Sequence, residues 1–433
     1  MKKICFFLTT LLLAFLMTPS DVKAQGYALK DLYQQALKNS EKIQYAEENL
    51  YLSQMLRKKA WAVLMPKATA FGTYNRFSED KYTTAGMVIQ PQESGTWGIR
   101  GDQVFSLSLR ELNALKMAGQ SIEKSQFDLD TAKSDFILAV ASSYYDVLKA
   151  RKSVEIAAAN VERLTQYRYS VERRVKVGEL TKTALLRADG ELSGAQADYL
   201  RAINALKLSR AALIRLTGIE ENFRLKADDH YSAETVTMEK MRQTAVDTRT
   251  DLKSYDMQIR MAEQQVKYAR GAFWPNAGLF AIYNGADQNP VSASLNRESV
   301  LAGASLTFPF FEGGLRVAEL NEAKAKERQA RLAYEDLKKN ADIELQSAYL
   351  DMETQKGTLK FLNDQLVFAE DNFNGVLRQY DNGLATSLDV MDANALLLSS
   401  EKNAAEALYG YSLAYLRVKK ANGTLLKFVQ EGY

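Results

Sequence analysis

Along most of the chain apolar residues recur at helical spacing, but short windows switch to a period of two. Phe105, Leu107 and Leu109 face one way while Ser106, Ser108 and Arg110 face the other. Farther on, Ala302, Ala304, Leu306 and Phe308 oppose Gly303, Ser305 and Thr307. Such alternation gives one greasy and one wet face. With the windows that precede them, "KATAFGTYNRF" and "NAGLFAIYNG", they predict strands at about 67–77 and 103–111, then at 276–284 and 299–309. A length of roughly ten residues suits a tilted transmembrane strand. A soluble hairpin packed on a core has the same pattern, and the alternation alone does not separate the two.

The prolines punctuate the rest. Pro66, Pro91, Pro275, Pro290 and Pro309 fall in or beside the strand windows, leaving 183 residues between Pro91 and Pro275 and 124 after Pro309 free of proline. Proline removes a donor and clashes with the preceding turn, so proline-free tracts permit long helices. Helices are predicted at 29–65 and 241–274, and much longer ones at about 113–177 and 314–382. Each long helix turns at a glycine, Gly178 or Gly383, and returns to end before Gly218 or Gly423. Helices of that length pack as antiparallel coiled coil or against other chains. In "TFPFFEGGLRVAEL", Pro309 ends a strand and Gly313 and Gly314 let the backbone swing into the helix.

The halves repeat. "KKAWAVLMP" at Lys58 matches "KYARGAFWP" at Lys267, "SSYYDV" around Tyr144 matches "SAYLDM" around Tyr349, and Gly178/Gly383 and Gly218/Gly423 pair at an offset of 205. A period near 200 residues implies a duplicated subdomain rather than a solenoid. The expected organisation is repeat 1 over 25–218, a linker over 219–239, repeat 2 over 240–423 and a terminal segment over 424–433. Two strands per repeat give four per chain, too few for a barrel. An open sheet edge finds no partner in a bilayer. If these strands enter a membrane, several chains share one barrel.

Composition narrows the chemistry. Lys2 and Lys3, the apolar run "ICFFLTTLLLAFLM" and "VKA" before Gln25 read as a secretory signal peptide, 1–24. That run is too short to span a bilayer, and no later stretch offers 18 consecutive apolar residues. The only cysteine, Cys5, lies in the leader, which excludes disulfides, thiolate sites and an N-terminal lipid from the mature chain. Without Lys2, Lys3, Lys23 and Asp21, 53 basic residues stand against 52 acidic, a balance that gives nucleic acid no purchase. The single histidine, His230, sits beside Asp228 and Asp229 in a polar segment and reads as a surface residue. No phosphate loop or nucleophile elbow is present, so no catalytic site, cofactor or resident metal is expected.

"PFFEGG" (Pro309–Gly314), "NGLATSLDVMDANALLLSSEKNAAEALYGY" from Asn382, the duplication and the leader together resemble the TolC family of outer-membrane efflux proteins. The resemblance covers essentially the whole mature chain. It implies a mainly α fold with a small transmembrane β part. Long antiparallel helical hairpins would hang below a twelve-stranded barrel to which each protomer of a homotrimer gives four strands. The linker and terminal segments would form an equatorial belt. It further implies an outer-membrane duct of tripartite efflux or type I secretion, working with an inner-membrane pump of RND or ABC type and a periplasmic membrane fusion adaptor. The other class the elements allow is a soluble periplasmic coiled-coil adaptor or scaffold. The first repeat departs from the pattern, because "RELNALKMAG" has neither the proline nor the paired glycines of the hinge.

The resemblance also places a constriction. Asp389 and Asp392, three apart, share a helix face, and around a threefold axis they would attract cations; acidic residues at the start of a helix also suit its dipole. Tyr380 matches a family tyrosine that holds the tip closed, but Ala184 and Ala385 stand where an aspartate and an arginine are expected, with Arg378 a nearby substitute. Gly178, Leu180, Gly383 and Leu384 match the turns that meet the adaptor. Aromatics bracket the strands, from Trp61, Phe71, Tyr74, Phe77 and Trp97 to Phe273, Trp274, Tyr283, Phe308, Phe310 and Phe311, as in membrane-barrel girdles. Residues 78–101 and 285–298 would be the extracellular loops.

Overall fold

The computed structural model describes residues 25–226, 237–292 and 295–431. The leader and the Asp228–Asp229–His230 run lie outside the described residues. In chain order the elements are β1 (Gln25–Tyr27), α1 (Leu29–Asn39), α2 (Glu41–Val63), β2 (Lys67–Arg76), β3 (Lys81–Tyr82), β4 (Val88–Gln90) and β5 (Glu93–Ser106). There follow α3 (Arg110–Lys176), α4 (Lys182–Thr217), β6 (Phe223–Leu225), α5 (Met238–Thr248), α6 (Thr250–Gly271), β7 (Asn276–Asn289) and β8 (Glu298–Thr307). The last are α7 (Leu315–Asp381), α8 (Ser387–Ala421) and α9 (Leu425–Glu431). The fold is mainly helical, and α3 and α7, 67 residues each, are about 100 Å long. Two compact units form: one from the described residues of Met1–Glu41, Lys133–Met238 and Leu345–Tyr433, the other from Lys42–Ala132 and Glu239–Glu344.

The second unit holds an antiparallel sheet in the order β2-β5-β7-β8. Its register pairs Trp97 with Gly285, Ile99 with Tyr283, Tyr283 with Val300 and Leu279 with Ala304. Because successive side chains alternate faces, Tyr74, Ala70, Trp97, Ile99, Leu279, Tyr283, Val300 and Leu306 share one face. Thr69, Thr73, Thr96, Arg100, Asp102, Asn284, Ser305 and Thr307 line the other, together with Phe71, Val104, Phe280, Ile282 and Leu301. At each strand junction an aromatic ring covers a glycine: Phe71 over Gly98, Trp97 over Gly285 and Phe280 over Gly303. This cross-strand packing pins the register. β2 and β8 end the sheet.

Four expectations change here, one being the strand expected at 276–284, which runs Asn276–Asn289 and takes residues 285–289 from the loop expected at 285–298. The strand placed at 103–111 runs Glu93–Ser106 instead, so residues 93–101 belong to the sheet and the loop beyond β2 is shorter, carrying the ribbon of β3 and β4. The helices expected at 29–65 and 241–274 each break once. Ser40 (φ −77°, ψ 122°) separates α1 from α2, and Arg249 (φ −60°, ψ 121°) separates α5 from α6. Arg249 is buried and held by Asp251 at 2.7 Å and Glu344 at 2.8 Å, so the kink is fixed by paired charge.

The two strand-to-helix hinges differ as their sequences do. In the second, Gly313 (φ +61°) and Gly314 (φ +87°) take left-handed backbone, while Arg316 donates to the Pro309 carbonyl and pairs with Glu312 at 2.6 Å. In the first, the left-handed position falls to Leu109 (φ +53°), whose amide bonds the Ser106 carbonyl at 2.9 Å. The Glu111 carboxylate accepts from the Ser106 amide at 3.2 Å, and the Ser108 hydroxyl donates to the Gly271 carbonyl at 3.0 Å. Left-handed backbone costs a non-glycine residue about 1 kcal/mol, more for a β-branched one. Leu109→Val is therefore expected to lower the thermal midpoint while Leu109→Asn holds or raises it. Equal effects from the two would show that the backbone here is unstrained.

Candidate functional site at the helical tips

Within the other unit the two helical hairpins turn by one construction used twice. After α3, the Gly178 amide bonds the Val175 carbonyl and the Glu179 amide bonds the Arg174 carbonyl, at 3.1 and 2.9 Å. After α7, Gly383 bonds Tyr380 and Leu384 bonds Gln379, at 3.1 and 2.8 Å. Every partner is shifted by the same 205 positions. Gly178 (φ +79°) and Gly383 (φ +75°) supply the left-handed residue that ends each helix.

Between the turns a small core joins Tyr167, Val171, Ala188, Tyr380 and Val390, flanked by Leu180, Ala184, Leu185 and Ala385. Ala184 and Ala385 are thus packing residues, and the charged pair expected at those positions is replaced by apolar contact. Leu180 leans on this core, whereas Leu384 is 80 % exposed. The cation that bridges the hairpins is Arg174 of α3. It donates to the carbonyls of Tyr380 and Asp381 at 2.9 and 3.0 Å, lies over the Tyr380 ring at 4.6 Å and reaches the Asp381 carboxylate at 3.7 Å. A guanidinium at the C-terminus of α7 also meets the negative end of that helix. Arg378 is exposed.

Tyr167 shares a 2.6 Å hydroxyl contact with Ser387 and stacks obliquely on Tyr380 at 5.5 Å. Burial, with Tyr167 close by, pushes the Tyr380 hydroxyl up to about 12. The stability tied to its protonated form is whole below the ordinary tyrosine value of 10.0 and is lost as pH rises towards about 12. Alkaline loosening of the tip is expected in that window. A Tyr380→Phe variant that loosens over the same range to the same extent would contradict this.

Asp389 closes a capping box at the start of α8. Its carboxylate accepts from the Thr386 amide and hydroxyl, both at 2.7 Å, and its own amide bonds the Thr386 hydroxyl at 3.3 Å. The Thr386 donors hold the Asp389 carboxyl below the usual aspartate value, so the box persists at neutral pH and fades only in acid. Asp389 and Asp392 both face solvent, while Val390 and Ala393, each one position after them, face the core. The helix-start role and an exposed acidic face coexist.

The tip residues Tyr380, Asp389, Asp392 and the two glycine turns come together; Pro309, Gly313 and Gly314 belong to the sheet-bearing unit. Unforeseen were Arg174, Tyr167 and a buried polar joint above them. There the Asn394 amide donates to Asn160 at 3.0 Å, and Arg163 makes a two-pronged pair with Glu401 at 3.1 Å. Asn394 carried a signal, being a polar residue at a core-spaced position in "DANALLL". Arg174 carried none. Among the described residues no cluster of three or more His, Cys, Asp or Glu could hold a metal, and no helix is long and apolar enough to cross a membrane.

The family model described as "Outer membrane efflux protein" matches residues 32–219 and 241–424. The outer membrane protein TolC of Vibrio cholerae is 24 % identical over 326 residues, 72 % of this chain and 73 % of that protein. The alkaline protease secretion protein AprF of Pseudomonas aeruginosa is 20 % identical over 93 % of this chain and 85 % of its own. In fold, the crystal structure of a membrane protein from Pseudomonas aeruginosa superposes with a TM-score of 0.82 at 18 % identity, covering 92 % of this chain and 91 % of that one. The chain belongs to the outer membrane efflux protein family.

Proposed function

We propose that the chain is the outer-membrane channel of a tripartite efflux or type I secretion system, a passive duct shared by three copies. The observation that carries this is the four-stranded sheet, greasy on one face, mixed and richer in polar groups on the other, and open at both β2 and β8. Four strands cannot close on themselves, and a bilayer leaves no edge unpaired. Three copies joining β8 to the next β2 make a twelve-stranded barrel with lipid outside and water within. The two segments matched by the family model support a duplicated unit, with repeats over 25–218 and 240–423, an equatorial linker over 219–239 and a terminal segment over 424–433.

In this reading the helices form the periplasmic duct, and the tip is its gate. Asp389 and Asp392 of the three copies ring the constriction, and Tyr380 helps hold it shut. Gly178, Leu180, Gly383 and Leu384 form the turns offered to a periplasmic membrane fusion adaptor, with Leu384 the protruding side chain. Energy comes from an inner-membrane pump of RND or ABC type. The chain reaches the outer membrane through a Sec leader, 1–24. A soluble adaptor or scaffold has no use for a greasy sheet face of this extent, and the family match gives that reading no support.

Conductance of the purified protein in planar bilayers tests the proposal. Divalent cations added on the tip side are expected to block the channel, and Asp389→Asn with Asp392→Asn to weaken that block about tenfold or more, as removal of close carboxylates implies. A block of unchanged strength would remove these residues from the constriction.

A further inference from the structure

Where the sheet hands over to the helices, α6, α7 and the start of α3 enclose a cleft of about 360 Å³. Its walls carry Arg110, Tyr268, Ala272, Glu319, Glu322 and Lys326. All belong to the sheet-bearing unit. Two of these charges are not committed to any other group of the chain.

Arg110 is the first. Its guanidinium lies over the Tyr268 ring at 5.0 Å, with the side chain 29 % exposed. Its Nε is buried without an acceptor among the described residues. Glu111, at 3.8 Å, is too distant for a hydrogen bond and already accepts from the Ser106 amide. A largely buried cation that lacks hydrogen bonds is costly, and a planar guanidinium suits a phosphate gripped by two prongs. Glu319 of α7 is the second. It is exposed, and no ion pair reaches it among the described residues, whereas Glu322 is taken by Lys326 at 2.6 Å.

The walls change character towards the sheet. Leu315, Glu319, Glu322 and Lys326 follow at intervals of four, three and four, so they share one face of α7. Leu315, nearest the sheet, is 54 % exposed, and the charges lie beyond it. On the α6 side, Ala272 leads directly into Phe273 and Trp274, both exposed. Leu109 and Leu112, on either side of Arg110, are exposed as well. Greasy side chains next to the sheet and charges one or two turns farther off match the profile of a bilayer at headgroup level, where amphipathic rings also collect.

We infer that this cleft holds the headgroup of a zwitterionic phospholipid, with its phosphate on Arg110 and its ammonium beside Glu319. The acyl chains then run over Leu315 and Trp274 towards the sheet. The occupant is a lipid rather than a soluble phosphate ester, because the apolar belt continues from the charged walls on the same elements. Cationic clefts at membrane depth recognise headgroups in this way. The inference rests on the membrane reading of the sheet and adds a lipid site at its helix end.

The test titrates the detergent-extracted, delipidated protein with palmitoyl-oleoyl phosphatidylethanolamine or the matching phosphatidylglycerol, read by native mass spectrometry. One ethanolamine lipid per chain is expected, retained about tenfold better than the glycerol lipid, as one charge-assisted contact implies. Arg110→Gln should weaken both lipids about tenfold. Glu319→Gln, at an exposed position, should remove the preference and leave the glycerol lipid unchanged; it decides alone if Arg110→Gln fails to assemble. A parent without preference, or a preference that survives Glu319→Gln, would overturn the site. Displacement of the lipid by an equal concentration of glycerophosphoethanolamine would overturn the lipid assignment in favour of a soluble ester. A light-scattering mass of three chains beside a missing preference sinks this site and leaves the duct standing. A mass of one chain sinks both.

Discussion

Gly98→Ala is expected to prevent assembly of the barrel. A Cβ at that position overlaps the Tyr283 carbonyl oxygen, stands 2.8 Å from the Phe71 ring and 3.0 Å from the Asn284 Cα. Two of these are backbone atoms of the paired strand β7, which cannot turn aside without breaking the ladder. Forcing atoms into a packed site costs about 3 kcal/mol, and it recurs in every copy of an assembled channel. Gly101→Ala, two residues along the same strand, meets its nearest atoms only at 3.9 Å and serves as the control. Recovery of each variant from outer membranes as a heat-resistant oligomer measures the difference. Equal recovery would mean that β5 and β7 are not held at this register. The Trp97–Gly285 junction should be more forgiving, because there the obstacle is a ring that can swing.

Arg174→Ala is expected to open the tip. The guanidinium, with its side chain 22 % exposed, holds two carbonyls of the last turn of α7 and stacks on Tyr380, so one substitution removes three contacts between the hairpins. Charge-assisted bonds and a stacked cation of this kind are together worth roughly 3 kcal/mol. That moves a closed-to-open ratio by about a hundredfold. Bilayer conductance is the readout, with longer or larger openings expected than in the parent. Arg174→Lys keeps the charge but loses the planar fork, and should fall between the two. A variant Arg174→Ala with parental conductance would assign closure of the tip to other residues.

The sequence carried the large features for physical reasons that are local. Proline-free tracts, paired glycines at a constant offset and "PFFEGG" announce helices, turns and a hinge because each depends on the backbone freedom of a few residues. The beginning of β5 was hidden, since "ESGTWGIRGD" is rich in glycine and charge. In a strand with one face turned to water and with Gly98 lying under the Phe71 ring of β2, both are acceptable. The breaks at Ser40 and Arg249 were hidden because neither residue forbids helix. It is burial of Arg249 between Asp251 and Glu344 that holds one of them. Leu109 was legible only as a missing glycine. At the tip, Asp389 was legible as an acid suited to a helix start, while its capping box with Thr386 came from the structure. The Arg174 bridge joins residues more than two hundred positions apart and leaves no trace in either segment.

The most direct test of the shared duct is the mass of the protein extracted from outer membranes, taken by light scattering with the detergent contribution subtracted. The account predicts three chains per particle. A single chain that stays in solution without detergent would contradict it, because a four-stranded sheet with two open edges would then be complete by itself.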